Sequence, residues 1–136
     1  MNNAGSPEIF WLTATLVMTA LLWVPYILNR IAEHGIRQAL WDPDGLTNTT
    51  SAWAIRMIRA HENAIENMVV FEPLVLVLQL AGQGNSMTGL ACMVYFFARA
   101  GHFLVFSFGI PILRIVFFLT GFACQMVLAV TLMGLL

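Results

Sequence analysis

The stretch IFWLTATLVMTALLWVPYIL, Ile9 to Leu28, carries no charged residue along its whole length. At 1.5 Å per residue a helix of that length spans about 30 Å, the thickness of a bilayer's hydrocarbon core. A helix satisfies its own backbone polar groups, so it can occupy that layer without water. Composition agrees with a membrane class. Of 136 residues, 60% are hydrophobic and 10% charged, and mean hydropathy is +0.82. A soluble domain of this length has too much surface per volume to hide so much apolar area. A formal net charge of -1 argues against a nucleic-acid partner.

Three further helices follow outward from that first span, set here at residues 9–30. Residues 29–51 read as a polar loop, with Asp42-Pro43-Asp44-Gly45 as a turn and Thr49, Thr50 or Ser51 as the next helix cap. The second helix is expected over 53–80, bent at Pro73 and longer than the membrane is thick. Residues 81–86 form a short turn. The third helix runs over 87–108 until Gly109 and Pro111, and the fourth over 111–136, with proline fitting its first turn. No basic residue precedes the first apolar run, so no cleavable signal peptide is expected. Cys92 and Cys124 lie in apolar runs without metal-ligand spacing. The result is one all-α, four-helix domain covering residues 1–136.

All the basic charge is arginine: Arg30, Arg37, Arg56, Arg59, Arg99 and Arg114. These residues lie toward the first and third connections. The positive-inside rule then places both chain ends outside and the arginine end in the cytoplasm. Counting from the outer helix ends puts Arg30, Arg59 and Arg114 at about 32–33 Å, one common level. Glu66 and Arg99 fall at about 21 and 18 Å, with opposite charge. Each alone in hydrocarbon costs at least about 2.5–3.5 kcal/mol, so an ion pair is expected. Arg56, Arg59, Asn63 and Glu66 share a helical stripe, and Arg99, His102 and Phe106 another. Two facing stripes describe a pocket with a cationic mouth and an ion-paired floor.

Each of these groups also has a plainer reading. Arg30, Arg37 and Arg56 can snorkel to lipid head groups. Asn63 and His102 can serve as interhelical hydrogen bonders. His61 and Glu62 fall off the stripe and read as interfacial, and Glu72 has no assigned role. No nucleophile triad, phosphate loop or metal cluster is present in the pattern. Chemistry therefore has to come from arginine and a ligand's own reactive group. A thiol suits, because a neighbouring guanidinium favours the nucleophilic thiolate.

RAHENAIEN (Arg59 to Asn67), RAGH (Arg99 to His102) and FSFGIPILR (Phe106 to Arg114) resemble the MAPEG family, the membrane-associated proteins in eicosanoid and glutathione metabolism. The resemblance extends over essentially the whole chain. It implies a homotrimer of four-helix subunits, with glutathione in clefts between subunits near the cytoplasmic face. Arg59, Asn63 and Glu66 of one subunit would contact glutathione together with Arg99, His102 and Arg114 of its neighbour. Arg30 matches a first-helix arginine that binds glutathione in some members, and Arg114 would stabilise the thiolate. Phe106 and Phe118 stand where many active members carry tyrosine, and Ile115 where a serine occurs.

The implied function is a glutathione-dependent transferase or peroxidase acting on a lipophilic small molecule. The implied location is a bacterial inner membrane, in contact with its lipid. The alternatives are a non-catalytic trimeric module that binds glutathione or an anionic lipid, and a small transporter or channel subunit.

Overall fold

Proline stands in the first turn of three helices and inside a fourth. The computed structural model describes residues 5–45 and 47–136, and all regular structure among them is helical. Pro7 opens α1 (Pro7–Leu21) behind Ser6, whose hydroxyl accepts the Ile9 N–H at 3.2 Å. The helix breaks at Leu22 and Trp23 and resumes as α2 (Val24–His34). Pro25 has no N–H to give the carbonyl of Leu21, one turn back, so the ladder is interrupted just there. The two pieces form one candidate span, Pro7–His34.

The first connection differs from the expectation. Residues 29–34, read as loop, continue α2, and a short α3 (Ile36–Leu40) follows Gly35. Gly35 alone separates them: at φ +80° it ends one helix and redirects the chain into the next. The Asp42–Gly45 segment closes as a turn, with the Gly45 N–H donating to the Asp42 carbonyl at 3.2 Å. Ser51 stands at the start of α4 (Ala52–Leu80), but its side chain does not cap that helix. The hydroxyls of Thr49, Thr50 and Ser51 converge instead on the Glu33 carboxylate, at 3.0, 3.2 and 2.6 Å. A stretch read as a helix cap is thus a clamp that ties the loop to the end of α2.

Pro73 lies inside α4, which runs unbroken through it. Asn85 caps α5 (Ser86–Ser107) in a reciprocal capping box with Thr88. Gly109, at φ +75°, turns the chain into α6 (Pro111–Leu132). The fourth helix therefore stops short of the expected end at 136. Four helices are long and apolar enough to cross a membrane, and the chain is an integral, multi-pass membrane protein.

Two apolar clusters hold the bundle together. Leu12, Phe71, Val75, Leu78, Cys92, Tyr95, Cys124 and Leu128 fill the half away from the arginines, where Phe71 stacks on Tyr95 with ring centres 3.7 Å apart. Leu22, Ala60, Ala64 and Phe103 fill the smaller cluster at the arginine end. Between the clusters lies a polar layer of Asn63, Asn67, Arg99 and Gln125. Small residues set the helix spacing. A Cβ on Gly101 of α5 would come within 2.6 Å of the Phe117 ring on α6, so only glycine fits this approach. The outward faces carry large apolar side chains such as Val69, Phe97 and Ile115, as lipid-facing helices do.

Candidate functional site

Helices α2 and α4 bring Arg30 and Arg59 together. Both line a cleft of about 330 Å³ with Asn48, Thr49, Ile55, Ile58 and Glu62. Equal depth on two helices thus ends in a shared cavity. Its wall is fixed by a chain of hydrogen bonds. Asn29 Nδ2 donates to Thr49 Oγ1 at 2.8 Å, and Thr49 Oγ1 donates to Glu33 at 3.0 Å. Tyr26 Oη and His61 Nδ1, 2.8 Å apart, tie α2 to α4 one turn deeper.

The expected Glu66–Arg99 ion pair does not form. Arg99, 2% exposed, donates from Nη2 to the Asn63 Oδ1 at 2.7 Å. Glu66 is exposed on the outside of α4, and no ion pair joins it to Arg99 among the described residues. Helix rotation explains the difference. At 100° per residue, the buried side of α4 runs through Ala60, Ala64, Phe71 and Val75. Asn63 lies about a quarter turn from its centre and Glu66 nearly opposite. Counting along single helices was blind to azimuth, so the floor of the pocket is a guanidinium on an amide. Asn63 is in turn approached by Asn67 Nδ2 at 3.3 Å, and Gln125 of α6 donates to the Asn67 carbonyl at 3.1 Å.

Among the described residues Arg99 keeps Nε and Nη1 buried without a partner, as His102 does its Nδ1. These groups sit at the level where the ligand contacts were expected. Arg114 reaches the same side of the bundle through an aromatic contact. Its guanidinium carbon lies 4.6 Å from the centre of the Phe106 ring, a cation–π contact. His102 lies 5.6 Å from Phe106 and 6.2 Å from Phe118, ring centre to ring centre. Within one chain the site residues therefore fall into two groups. Arg30 and Arg59 share the α2–α4 cleft. Asn63, Arg99, His102 and Arg114 lie along the α4–α5–α6 side, and Glu66 stands apart from both.

Two contributors escaped the sequence reading. Glu62 lines the arginine cleft, although it lies off the stripe that was followed. Arg56 does not simply snorkel: its Nε donates to the Ser107 carbonyl at 2.9 Å, covering the C-terminal end of α5 beside Gly109. The charge-rich run Arg56–Glu66 pointed to both, but which of its faces meets α2 and which meets α5 is a matter of packing. Glu72 is half-buried, and nothing in the structure explains it.

The comparisons with known proteins agree with this picture at the level of family. The model of the MAPEG family matches residues 9–134. No curated protein matches the chain.

Proposed function

The chain belongs to the MAPEG family, and on that footing we propose that it is a glutathione-dependent membrane enzyme. It joins glutathione to a lipophilic electrophile or reduces a lipid hydroperoxide. The observation that carries the reading is the meeting of Arg30, Arg59 and Glu62 in one cleft at the arginine end of the bundle. Glutathione bears two carboxylates and one ammonium group. Two guanidiniums and a carboxylate complement that set by charge and by hydrogen-bond geometry.

The remaining site residues complete the ligand's surroundings in a homotrimer. Arg99 offers buried N–H donors, and His102 a buried ring nitrogen, that lack partners among the described residues of the subunit. Asn63 holds Arg99 in place, and exposed Glu66 faces a neighbouring subunit instead of lipid. Arg114 stabilises the thiolate. The sulfur then attacks an electrophilic carbon, a C–S bond forms, and the leaving group departs with its electron pair. At a hydroperoxide the thiolate attacks the terminal oxygen, the O–O bond breaks, and the alkoxide leaves and takes up a proton; a second glutathione then displaces water from the sulfenic acid to give the disulfide. The lipophilic partner arrives through the bilayer along the exposed face from Ile115 to Phe118. The excess of arginines at this end supports its facing the cytoplasm, with both chain ends outside, and the membrane of this reading is a bacterial inner membrane.

Isothermal titration of the detergent-purified protein with glutathione tests the reading. Binding at millimolar ligand or tighter is expected, and no heat at that concentration overturns it. In a protein that binds, Arg114→Ala removes the ultraviolet thiolate absorbance of the bound ligand. An unchanged signal takes Arg114 out of its role.

One observation favours a second reading, a non-catalytic module that binds glutathione or an anionic lipid. Arg114 rests on the face of Phe106, and Phe118 supplies no hydroxyl, so donors to a thiolate are fewer than in members with tyrosine at these positions. Turnover of an aryl halide with glutathione separates the two readings.

A further inference from the structure

A cavity at the end of the bundle away from the arginines holds a buried acid that the proposed function does not use. It has a volume of about 650 Å³ between the start of α1 and the α4–α5 turn. Glu8 lines it and is 2% exposed. Among the described residues its carboxylate has one hydrogen-bond donor: Thr88 Oγ1, 2.6 Å from Oε1. That hydroxyl also lies 2.8 Å from the Asn85 carbonyl oxygen, so its single proton is shared between two acceptors. No basic side chain among the described residues lies within ion-pair distance of Glu8. The glycines hold this geometry open: a Cβ on Gly84 would stand 3.1 Å from Oε1, and one on Gly89 3.2 Å from Pro7. A buried carboxylate with half a hydrogen bond and no cation is costly, and a cation with N–H donors relieves both deficits.

The walls say what carries that cation. Pro7 and Ser86 open their helices here, which puts Glu8 at the level where the span meets the head groups. Trp11, Leu90 and Met93 line the same cavity about 6–10 Å deeper along α1 and α5, where acyl chains begin. Trp11 is the kind of aromatic that sits at this boundary. Gln79 and Ser86 at the rim offer donors to a phosphate.

We propose that this cavity binds a membrane phospholipid through its primary ammonium head group, with Glu8 as the acceptor and the Trp11–Leu90–Met93 wall against the upper acyl chain. An acidic lipid head group would meet the Glu8 charge and be excluded. A trimethylammonium head group lacks the N–H donors that the carboxylate needs.

The test is delipidated protein in detergent, titrated with short-chain phosphatidylethanolamine, phosphatidylcholine and phosphatidylglycerol, and read by native mass spectrometry. Phosphatidylethanolamine is expected to bind about tenfold tighter than the other two, the worth of one charge-assisted hydrogen bond. Glu8→Gln is expected to erase that preference. Leu90→Trp fills the cavity from an exposed position on its acyl-chain wall without touching the Glu8–Thr88 contact, and it should lose the lipid while leaving the unfolding temperature unchanged. Equal binding of the three lipids by the unaltered protein overturns the proposal, as does an undiminished preference in folded Glu8→Gln or Leu90→Trp protein. Free ethanolamine displacing the lipid at equal concentration overturns the lipid assignment. Glutathione binding is unaffected in either variant, so failure here is distinguishable from failure of the proposed function.

Discussion

Arg99 places a guanidinium inside a membrane bundle with, among the described residues, a single hydrogen bond, to the Asn63 amide oxygen at 2.7 Å. Removing that acceptor leaves a buried charged donor with nothing to meet. Asn63→Leu is expected to cost about 1.5–3 kcal/mol in thermal unfolding in detergent. The double variant Asn63→Leu, Arg99→Met removes both partners and should recover most of that loss. Equal stability of Asn63→Leu and the unaltered protein would show that the bond contributes nothing. Glu62 belongs to the opposite wall, beside Arg30 and Arg59. If it receives the ammonium of glutathione, Glu62→Gln weakens glutathione about tenfold and leaves an analogue without the amino group unchanged. Calorimetry with both ligands decides this, and equal weakening of the two would move Glu62 away from the ammonium. Both residues were visible in the sequence as polar groups in a membrane helix. Their partners were not, because spacing along one helix says nothing about which neighbour each face meets.

The α5–α6 pair is the most extensive helix contact in the bundle, and Gly101 sets its spacing. Alanine there gains about 1 kcal/mol of helix propensity, yet its Cβ would press on the Phe117 ring, and overpacking costs about 1–3 kcal/mol. Gly101→Ala is therefore expected to destabilise the protein. In a Phe117→Ala background, where the ring is gone, the same substitution is expected to stabilise by about 1 kcal/mol, a reversal of sign readable by unfolding temperature. A loss of the same size in both backgrounds would show that the Phe117 contact does not limit this approach. Helices α4, α5 and α6 were legible from apolar runs bounded by Gly109, Pro111 and the 81–86 turn. The end of the first helix was not. Residues 29–34 are polar because they leave the hydrocarbon, and polarity was read as loop. The Glu33 clamp on Thr49, Thr50 and Ser51 was equally hidden, since it joins residues far apart in the chain.

Glu66 stands exposed near the middle of a span. Facing lipid it would cost at least about 2.5–3.5 kcal/mol, and in the proposed trimer a neighbouring subunit covers it. Native mass spectrometry in a mild detergent is expected to find a trimer, and a monomer under all mild conditions would remove the proposed intersubunit site. At this scale the division is clear. The sequence alone settled the membrane class and the four apolar helices. Hydrophobicity and rise per residue are local quantities that the chain carries with it into any packing arrangement. Tertiary structure alone decided rotation about each helix axis. The close packing of Ala60, Ala64 and Gly101 turns α4 and α5 so that Arg99 meets Asn63 instead of Glu66, and Arg30 shares its cleft with Arg59 and Glu62. It also sets Glu8 in a cavity at the far end. Rotation is fixed by contacts between helices distant in sequence, so no reading of one helix at a time reaches it.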